Sequence, residues 1–226
     1  MILLPVKNLA RAKQRLAAVL DQPARTQLAQ AMLTEVVEAI AGFAGDEVAI
    51  ATSDPFAIDL AGRHGFEVIL DQTNVSETDA IEMGTRVCEA RGIESTLVIP
   101  GDIPLIEAAD LRAIYKASPD CGSVLVPSCD KRGTNAVLRR PASLFPLRFG
   151  NDSFMPHLAA SIATNKSCVV LSLPRIGLDI DTPEDLRELA QAPGEKRSQT
   201  LARELGFGEK RQFVGNPNQN TFATKS

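Results

Sequence analysis

Short apolar segments alternate with longer amphipathic segments along most of the chain. Residues 25–43 are amphipathic, because Leu28, Met32, Val36 and Ile40 recur every four residues and therefore share one face of a helix. Short apolar runs bounded by Gly, Pro or Asp are instead typical of buried strands. The pattern predicts strands at residues 2–6, 47–51, 66–70, 95–100, 123–127, 135–139 and 168–173, and helices at residues 25–43, 55–64, 78–91, 108–117, 152–164 and 183–190.

Repeated alternation of strand and helix predicts an α/β fold, with a mostly parallel sheet covered by helices on both faces. The chain has 226 residues, which is enough for one large domain and short for two. After residue 192 the sequence becomes turn-like and charged, and residues 200–205 allow only one further short helix. We therefore predict a domain over residues 1–192 and a polar, partly disordered C-terminal tail over residues 193–226.

Composition and charge narrow the function classes. The net charge of −4, the absence of Trp and the single Tyr argue against a nucleic-acid-binding protein. No apolar run reaches the roughly 18–20 residues that cross a bilayer. Four cysteines without a CxxC motif are expected to be small buried side chains in a reducing cytoplasm. We predict a cytoplasmic protein that binds neither nucleic acid nor membrane, and we leave a homodimer open.

Charged residues follow several predicted strands. Ligands of parallel α/β sheets bind at the carboxyl ends of the strands, so these residues are candidates for a binding site. A basic segment follows the first strand, Asp102 in PGDIP follows the fourth, and LDIDTPEDL lies near the end. We expect them to gather at one edge, an arrangement suited to an anionic, metal-bound nucleotide. The strand-end residues are Lys7, Arg11, Lys13, Arg15, Thr52, Ser53, Asp54, Asp102, Asp179 and Asp181.

Each of these features also has a simpler explanation. Asp102 could be a turn residue, although a carboxylate held rigidly at a strand end also suits magnesium. Thr182 and the acids after it form an ordinary helix start, but this does not explain Asp179 and Asp181. Period two on an extended segment puts both on one face, where like charges repel unless a cation or water separates them. The basic segment is also typical of a solvated helix surface.

Two further segments combine glycine with polar side chains. KRGTNAVL at residues 131–138 places Thr134 and Asn135 before a strand, and RFGNDSF at residues 148–154 places Gly150 and Ser153 before a helix. Backbone amides and a Ser hydroxyl at a helix N-terminus can bind phosphate, although ordinary helix capping explains the same residues. Because neither a Rossmann fingerprint nor a P-loop occurs, the basic segment and backbone amides would have to hold a nucleotide's phosphates.

Five motifs occur in order between residues 1 and 190: LPVKNLARAKQRL, PGDIPL, RGTNAVLRRP, LRFGNDSF and LDIDTPEDL. Together they resemble the CofC/FbiD family, the guanylyltransferases of deazaflavin coenzyme F-420 biosynthesis. The last motif is shared with other nucleotidyltransferases, such as the molybdenum-cofactor guanylyltransferases. The resemblance implies a GT-A-like (Rossmann-like) nucleotidyltransferase fold. It also implies transfer of GMP from GTP to 2-phospho-L-lactate, phosphoenolpyruvate or 3-phospho-D-glycerate, release of pyrophosphate, and use of the product by a downstream deazaflavin transferase.

The resemblance also implies roles for particular residues. Asp102, Asp179 and Asp181 would hold Mg²⁺, and Asp102, Asp181 and Lys13 would be the catalytic residues. Thr134, Gly150 and Ser153 would bind the acceptor, with Asn135 beside them, and Lys7, Lys13 and Arg15 would bind GTP, with Thr52 added from its strand-end position.

Two segments depart from the family pattern. Residues 76–78 read Ser-Glu-Thr where members often carry Gly-Leu-Asn, and Lys131 and Arg132 add charge before the glycine of the RGTN segment. Either departure could mark a different acceptor. A nucleotidyltransferase for a sugar phosphate or molybdopterin, or a non-catalytic nucleotide-binding protein, remains an alternative. The scarcity of histidine does not argue against phosphate chemistry, since an acceptor phosphate is already anionic near neutral pH and needs no protein base.

Overall fold

The computed structural model describes residues 1–71, 76–150 and 152–208. Strands and helices alternate as predicted, and two 3₁₀ turns, Leu9–Arg11 and Gln14–Leu16, follow the first strand. The strands are β1 Ile2–Val6, β2 Val48–Thr52, β3 Glu67–Leu70, β4 Thr96–Val98, β5 Gly122–Pro127, β6 Thr134–Arg140 and β7 Ser167–Val170. The helices are α1 Gln22–Phe43, α2 Pro55–His64, α3 Glu77–Ala90, α4 Ala108–Ala117, α5 Phe154–Ala163, α6 Pro174–Gly177, α7 Pro183–Gln191 and α8 Arg197–Glu204.

Within the described residues the strands form one sheet in the order β3-β2-β1-β4-β6-β5-β7. The pairs of β1 with β2 and β4, of β2 with β3, and of β5 with β7 are parallel. Only β6 runs antiparallel to its neighbours, because residues 128–133 join it to β5 as a hairpin. The predicted mostly parallel sheet is therefore confirmed, and the KRGTN segment lies in and just after the hairpin loop.

Apolar residues on both faces of the sheet explain the helices on both faces. Strand β1 is buried along its whole length, with successive side chains directed to opposite sides. Leu4 packs in one cluster with residues of α1, α2 and α4, including Ile114. Leu3 packs in a second cluster with residues of α3 and Phe154 of α5. The central strand is thus fixed from both sides, and it holds the basic segment at its carboxyl end.

Two helix starts follow the local rules that the sequence indicates. The Asp54 Oδ1 atom accepts hydrogen bonds from the backbone N–H groups of Phe56 at 2.9 Å and Ala57 at 3.2 Å, which caps α2. Thr182 Oγ1 accepts from the N–H of Asp185 at 3.3 Å, and the Asp185 carboxylate accepts from the N–H of Thr182 in return. Both caps confirm the predicted helix boundaries at 55 and 183.

The domain does not end at residue 192, and this part of the predicted boundary is corrected. Helix α8 packs against α1 and α7, and Leu201, Ala202 and Phe207 are buried in a third apolar cluster. Buried Glu35 of α1 accepts hydrogen bonds from the backbone N–H of Ser198 at 3.0 Å and from its hydroxyl at 2.5 Å. The sequence does not indicate this packing, because charged and apolar residues alternate in this segment. Residues 209–226 of the predicted tail lie outside the described residues.

The exposure of the cysteines differs from the expectation drawn from composition. The four cysteines are free thiols, but only Cys88 is fully buried, whereas Cys121 and Cys129 are exposed and Cys168 is half-buried. The expectation of four buried cysteines is therefore wrong, because Cys121 and Cys129 lie in connections at the ends of β5. In the described part of the chain no helix is long and apolar enough to cross a membrane.

The two-sided core yields a stability prediction. Ile114 is fully buried beneath the sheet, whereas Ile162 on α5 is 60% exposed. We expect Ile114→Ala to lower the free energy of unfolding by about 2–5 kcal/mol, because it removes buried methyl groups and leaves a cavity. The same substitution at Ile162 should change it by no more than about 0.5 kcal/mol. Urea denaturation of both variants tests this, and equal losses would contradict the described packing.

Candidate active site

The Lys13 side chain joins two of the strand-end segments. Its ammonium group donates to Asp102 Oδ2 at 2.7 Å and to Asp181 Oδ1 at 3.0 Å. Arg15 Nη1 donates to the other oxygen of Asp181 at 3.0 Å. The basic segment, the lone aspartate and the DxD pair therefore meet at one edge of the sheet, as the strand-end argument predicts.

The backbone at Lys13 adopts an uncommon conformation to make this contact. Its φ of 55° and ψ of 44° are left-handed, between the two 3₁₀ turns, a conformation that costs a non-glycine residue about 1–2 kcal/mol. Neighbouring contacts hold it there, because Asp54 Oδ2 accepts from the Leu9 backbone N–H at 2.9 Å and Leu16 is fully buried. Backbone strain of this kind accumulates at functional sites, where surrounding packing maintains it.

The two acidic segments are fixed to each other through their backbones. The N–H of Ile180 donates to the backbone carbonyl of Asp102 at 3.1 Å, and the Ile180 side chain is fully buried. Burial of Ile180 directs its two neighbours, Asp179 and Asp181, away from the apolar cluster. Asn135 Nδ2 donates to Asp179 Oδ1 at 3.0 Å, so the two carboxylates have different partners.

Charge and burial perturb the ionisation of this cluster. Burial alone would lower the pKa of Lys13, but the charges of Asp102 and Asp181 outweigh it and raise the pKa above its ordinary value. Burial would raise the pKa of Asp181, yet Lys13 and Arg15 hold it below its usual range. Among the described residues no cation forms an ion pair with Asp179, and burial together with the Asp102 charge raises its pKa to about 6. Lys13 and Asp181 are therefore both charged at neutral pH.

The donor set suits a hard cation, although the residues do not form a ready three-ligand cage. Among residues 1–71, 76–150 and 152–208, no group of three His, Cys, Asp or Glu side chains lies close enough together to hold a metal ion. Lys13 lies between Asp102 and Asp181, and Asp179 is bonded to Asn135. Mg²⁺ commonly takes only one or two carboxylates and completes its shell with water and phosphate oxygens, so the pair Asp102 and Asp181 fits it.

Two cavities meet at this cluster. The first, of about 690 Å³, is lined by the basic segment, and the second, of about 580 Å³, lies beside the β5–β6 hairpin loop and the start of α5. Both volumes are typical of small-molecule sites. Their shared wall consists of Arg15, Glu77, Pro100, Asp102 and Asp181. A ligand in each cavity would therefore meet the other across the charged cluster.

The structure brings the four predicted acceptor-binding residues to the second cavity. Ser153 Oγ accepts from the backbone N–H of Thr134 at 3.1 Å and does not cap its own helix. Gly150 has a φ of 128°, which strongly favours glycine at this point of the cavity rim. Asn135 also donates to the backbone carbonyls of Ile176 at 2.9 Å and Gly177 at 3.2 Å, and these hydrogen bonds hold the chain in place just before Asp179.

The predicted nucleotide-binding residues separate into two groups. Lys7, Lys13 and Arg15 line the first cavity, with Lys7 Nζ donating to Asp71 Oδ2 at 2.7 Å. Thr52 does not reach it and is corrected to a structural residue. Its side chain is fully buried, and its hydroxyl oxygen accepts from the N–H of Asp54 at 2.9 Å. Thr52 thus supports the cap of α2 instead of meeting a ligand.

Sequence reasoning assigned no role to Glu77 or His157. Glu77 begins α3 and lies on the shared wall, where burial and the Asp102 charge raise its pKa to about 7. The only signal was the Ser-Glu-Thr departure at residues 76–78. His157 lies behind the second cavity, with its Nδ1 atom 3.0 Å from Thr134 Oγ1. No motif in the sequence indicates a role for this position.

Nearly the whole chain is similar to one protein family. The family model described as "Guanylyl transferase CofC like" matches residues 1–218. A phosphoenolpyruvate guanylyltransferase from Rubrobacter xylanophilus is 36% identical over 84% of this chain and 93% of that protein. A 3-phospho-D-glycerate guanylyltransferase from Colwellia psychrerythraea is 31% identical over 84% of this chain and 90% of that protein.

Solved structures share the fold at much lower sequence identity. A putative nucleotide-diphospho-sugar transferase from Desulfovibrio desulfuricans superposes with a TM-score of 0.75 at 16% identity, over 90% of this chain and 93% of that one. A CMP:2-keto-3-deoxy-manno-octonic acid synthetase complexed with CTP gives a TM-score of 0.55 at 16% identity, over 90% and 98%. These likenesses confirm the predicted nucleotidyltransferase-like fold.

The ion pairs of Lys13 yield a prediction about Asp181. Lys13→Met removes the cation that most lowers the pKa of the Asp181 carboxyl, so this pKa should rise towards the value that burial imposes. Titration of the side-chain carboxyl carbons by ¹³C NMR measures the change. Lys116→Met, at an exposed position on α4, is the matched control and should leave the Asp181 titration unaltered. An unchanged Asp181 pKa in Lys13→Met would contradict the described cluster.

Proposed function

Because the chain belongs to the CofC-like guanylyltransferase family, we propose that it transfers GMP from GTP to the phosphate of a small phosphorylated acid and releases pyrophosphate. The observation that carries this proposal is the wall of Asp102, Asp181 and Arg15 shared by two cavities. GTP would occupy the cavity of the basic segment, and the acid would occupy the cavity of Thr134 and Ser153. The product would then be used by a downstream transferase in deazaflavin coenzyme biosynthesis.

Phosphoenolpyruvate is the first acceptor to test. The Rubrobacter relative at 36% identity carries that substrate in its name, and the Colwellia relative at 31% carries 3-phospho-D-glycerate. Both acids present a phosphate and a carboxylate on a three-carbon frame, and 2-phospho-L-lactate does the same. Thr134, with its hydroxyl, and Gly150 both line the second cavity and suit a ligand of this class.

The reaction needs charge placement more than proton transfer. An oxygen of the acceptor phosphate attacks the α-phosphorus of GTP, a new phosphoanhydride bond forms, and the bond to the β-phosphate oxygen breaks, so that pyrophosphate leaves. The attacking oxygen already carries negative charge near neutral pH, since the second phosphate pKa is about 6. Holding the two reactants in line across the shared wall lowers the barrier by proximity and orientation.

Lys13 and Arg15 supply fixed positive charge at the meeting point of the cavities. The pKa of Lys13 lies above its ordinary value, so its ammonium group is charged throughout the neutral range. Preorganised cations stabilise phosphoryl charge without reorganising during the reaction. Lys7 lines the same cavity, where it would contact the phosphates that leave as pyrophosphate.

Magnesium is part of the proposal because the second cavity is too acidic to hold a polyanion unaided. Eight carboxylate side chains but only two arginines line it. Asp102 and Asp181 would hold the ion, with Asp179 beside them. When bound, magnesium neutralises charge on the phosphates. The lining carboxylates are Glu77, Asp102, Asp130, Asp152, Asp179, Asp181, Asp185 and Glu188, and the arginines are Arg15 and Arg132.

Replacing one proposed ligand tests this part. We expect Asp181→Asn to lower kcat by at least about 100-fold, because loss of one electrostatic contact to a transition state has an effect of this size. The variant should also need a higher Mg²⁺ concentration to reach its half-maximal rate. Asp59→Asn is the control, because Asp59 is an exposed residue of α2 that forms an ion pair with Arg63 one helical turn away. An Asp181→Asn enzyme with unchanged magnesium dependence would contradict the assignment.

The proposed function itself is tested by pyrophosphate release with product identification by mass. Purified chain is supplied with Mg²⁺, GTP or ATP, and one of the three acids at a time. We expect turnover with GTP and one preferred acid, giving the corresponding GMP conjugate. Turnover only with a sugar phosphate or with molybdopterin would replace the acceptor assignment. GTP binding without turnover on any acceptor would favour a non-catalytic nucleotide-binding protein.

A further inference from the structure

The buried side chain of His157 has both ring nitrogens engaged in hydrogen bonds. The Arg148 backbone N–H donates to Nε2 at 2.9 Å, and Nδ1 lies 3.0 Å from Thr134 Oγ1. The side chain is 1% exposed, and the Phe149 ring packs edge-on against it with centroids 5.1 Å apart. The imidazole therefore connects the start of β6, the loop before α5 and α5 itself.

The Arg148 contact determines which nitrogen carries the proton. A backbone N–H can only donate, so Nε2 must present a lone pair, and the proton of the neutral ring lies on Nδ1. With Nδ1–H as donor, Thr134 Oγ1 accepts, and the hydroxyl hydrogen of Thr134 is left to donate elsewhere. The opposite tautomer would direct Nε2–H at the Arg148 N–H. The hydrogen bonds thus run in one direction, from Arg148 through His157 to Thr134.

Thr134 is the member of this series that lines the second cavity. Its backbone N–H is already used by Ser153 Oγ, so the hydroxyl is its remaining donor. Burial and the charge of Arg139 lower the pKa of His157 to about 4, which keeps the ring neutral at physiological pH. A protonated ring would present a donor to Arg148 and lose that contact.

We propose that His157 is a positioning residue for the acceptor. Its Nδ1–H holds the Thr134 oxygen as an acceptor, so that the Thr134 O–H donates to the anionic oxygen of the phosphorylated acid. This inference rests on the proposed function for the identity of the ligand. The geometry makes His157 neither a general base nor a nucleophile, since both nitrogens are occupied.

Two matched substitutions separate the two hydrogen bonds. In His157→Asn, the amide nitrogen stands close to the position of Nδ1 and can still donate to Thr134. In His157→Gln, the amide oxygen stands close to the position of Nε2 and can accept from Arg148, but the donor to Thr134 is lost. Thr134→Val removes the hydroxyl at nearly constant volume.

The experiment measures KM for the acceptor, KM for GTP and kcat in each variant. We expect Thr134→Val to raise the acceptor KM roughly tenfold to hundredfold, as for loss of a hydrogen bond to a charged group. His157→Gln should raise it about fivefold or more, and His157→Asn less than about threefold, while the GTP KM stays within about twofold throughout. Combining His157→Gln with Thr134→Val should add little to Thr134→Val alone, because both remove the same contact.

Several results would overturn the role of His157: equal effects of Asn and Gln, effects that add in the double variant, or a parallel rise in the GTP KM. A wild-type chain without turnover on any acid would instead overturn the proposed function. An independent readout needs no activity. Long-range ¹H–¹⁵N NMR at pH 7 should show His157 as the Nδ1–H tautomer, with the only other histidine, His64, assigned by His64→Gln. An Nε2–H tautomer would refute the inference even if a variant failed to fold.

Discussion

The ammonium group of Lys13 is the interaction on which the arrangement of the site depends. It brings together residue 102, which follows the fourth strand, and residue 181, which precedes α7, and it does so from the segment after the first strand. A largely buried cation is costly unless it is paired, and two carboxylates this close repel unless a cation separates them. Each charge is therefore tolerated because of the others, and removing one leaves the remainder uncompensated.

Packing beneath the charges holds these segments in register. The third apolar cluster contains Leu16 after Lys13, Leu178 and Ile180 on either side of Asp179, and Leu201 of α8. Lys196, at the start of α8, donates to the backbone carbonyls of Pro104 at 2.5 Å and Ile106 at 3.0 Å, just after Asp102. Residues 193–208 therefore support all three parts of the site through packing, although none of these residues lines either cavity.

Features governed by local chemistry were predictable from the sequence, and features governed by side-chain direction were not. The caps at Asp54 and Thr182, the mostly parallel sheet and the gathering of Lys13 and Asp102 at one edge follow from residue type, period and the geometry of parallel sheets. Thr52 was misplaced because a strand-end position does not say which way a side chain points. The extent of the domain was underestimated because charges around α8 conceal the few apolar residues that pack, and its polar Ser198 is buried by bonding to Glu35.

The use of histidine follows from the kind of chemistry proposed. Transfer to an acceptor phosphate needs no proton abstraction, so the site has no requirement for a group that titrates near neutral pH. Burial lowers the pKa of His157 to about 4, too low for a general base at neutral pH. The Arg148 backbone N–H fixes one tautomer of the neutral ring and one direction of hydrogen bonding. Glu77 is the contrasting case, since burial beside Asp102 raises its pKa to about 7 on the wall between the cavities. When ionised, Glu77 adds negative charge to a wall that already carries Asp102 and Asp181. Lys13 and Arg15 offset part of this negative charge, and a bound magnesium ion would offset more of it.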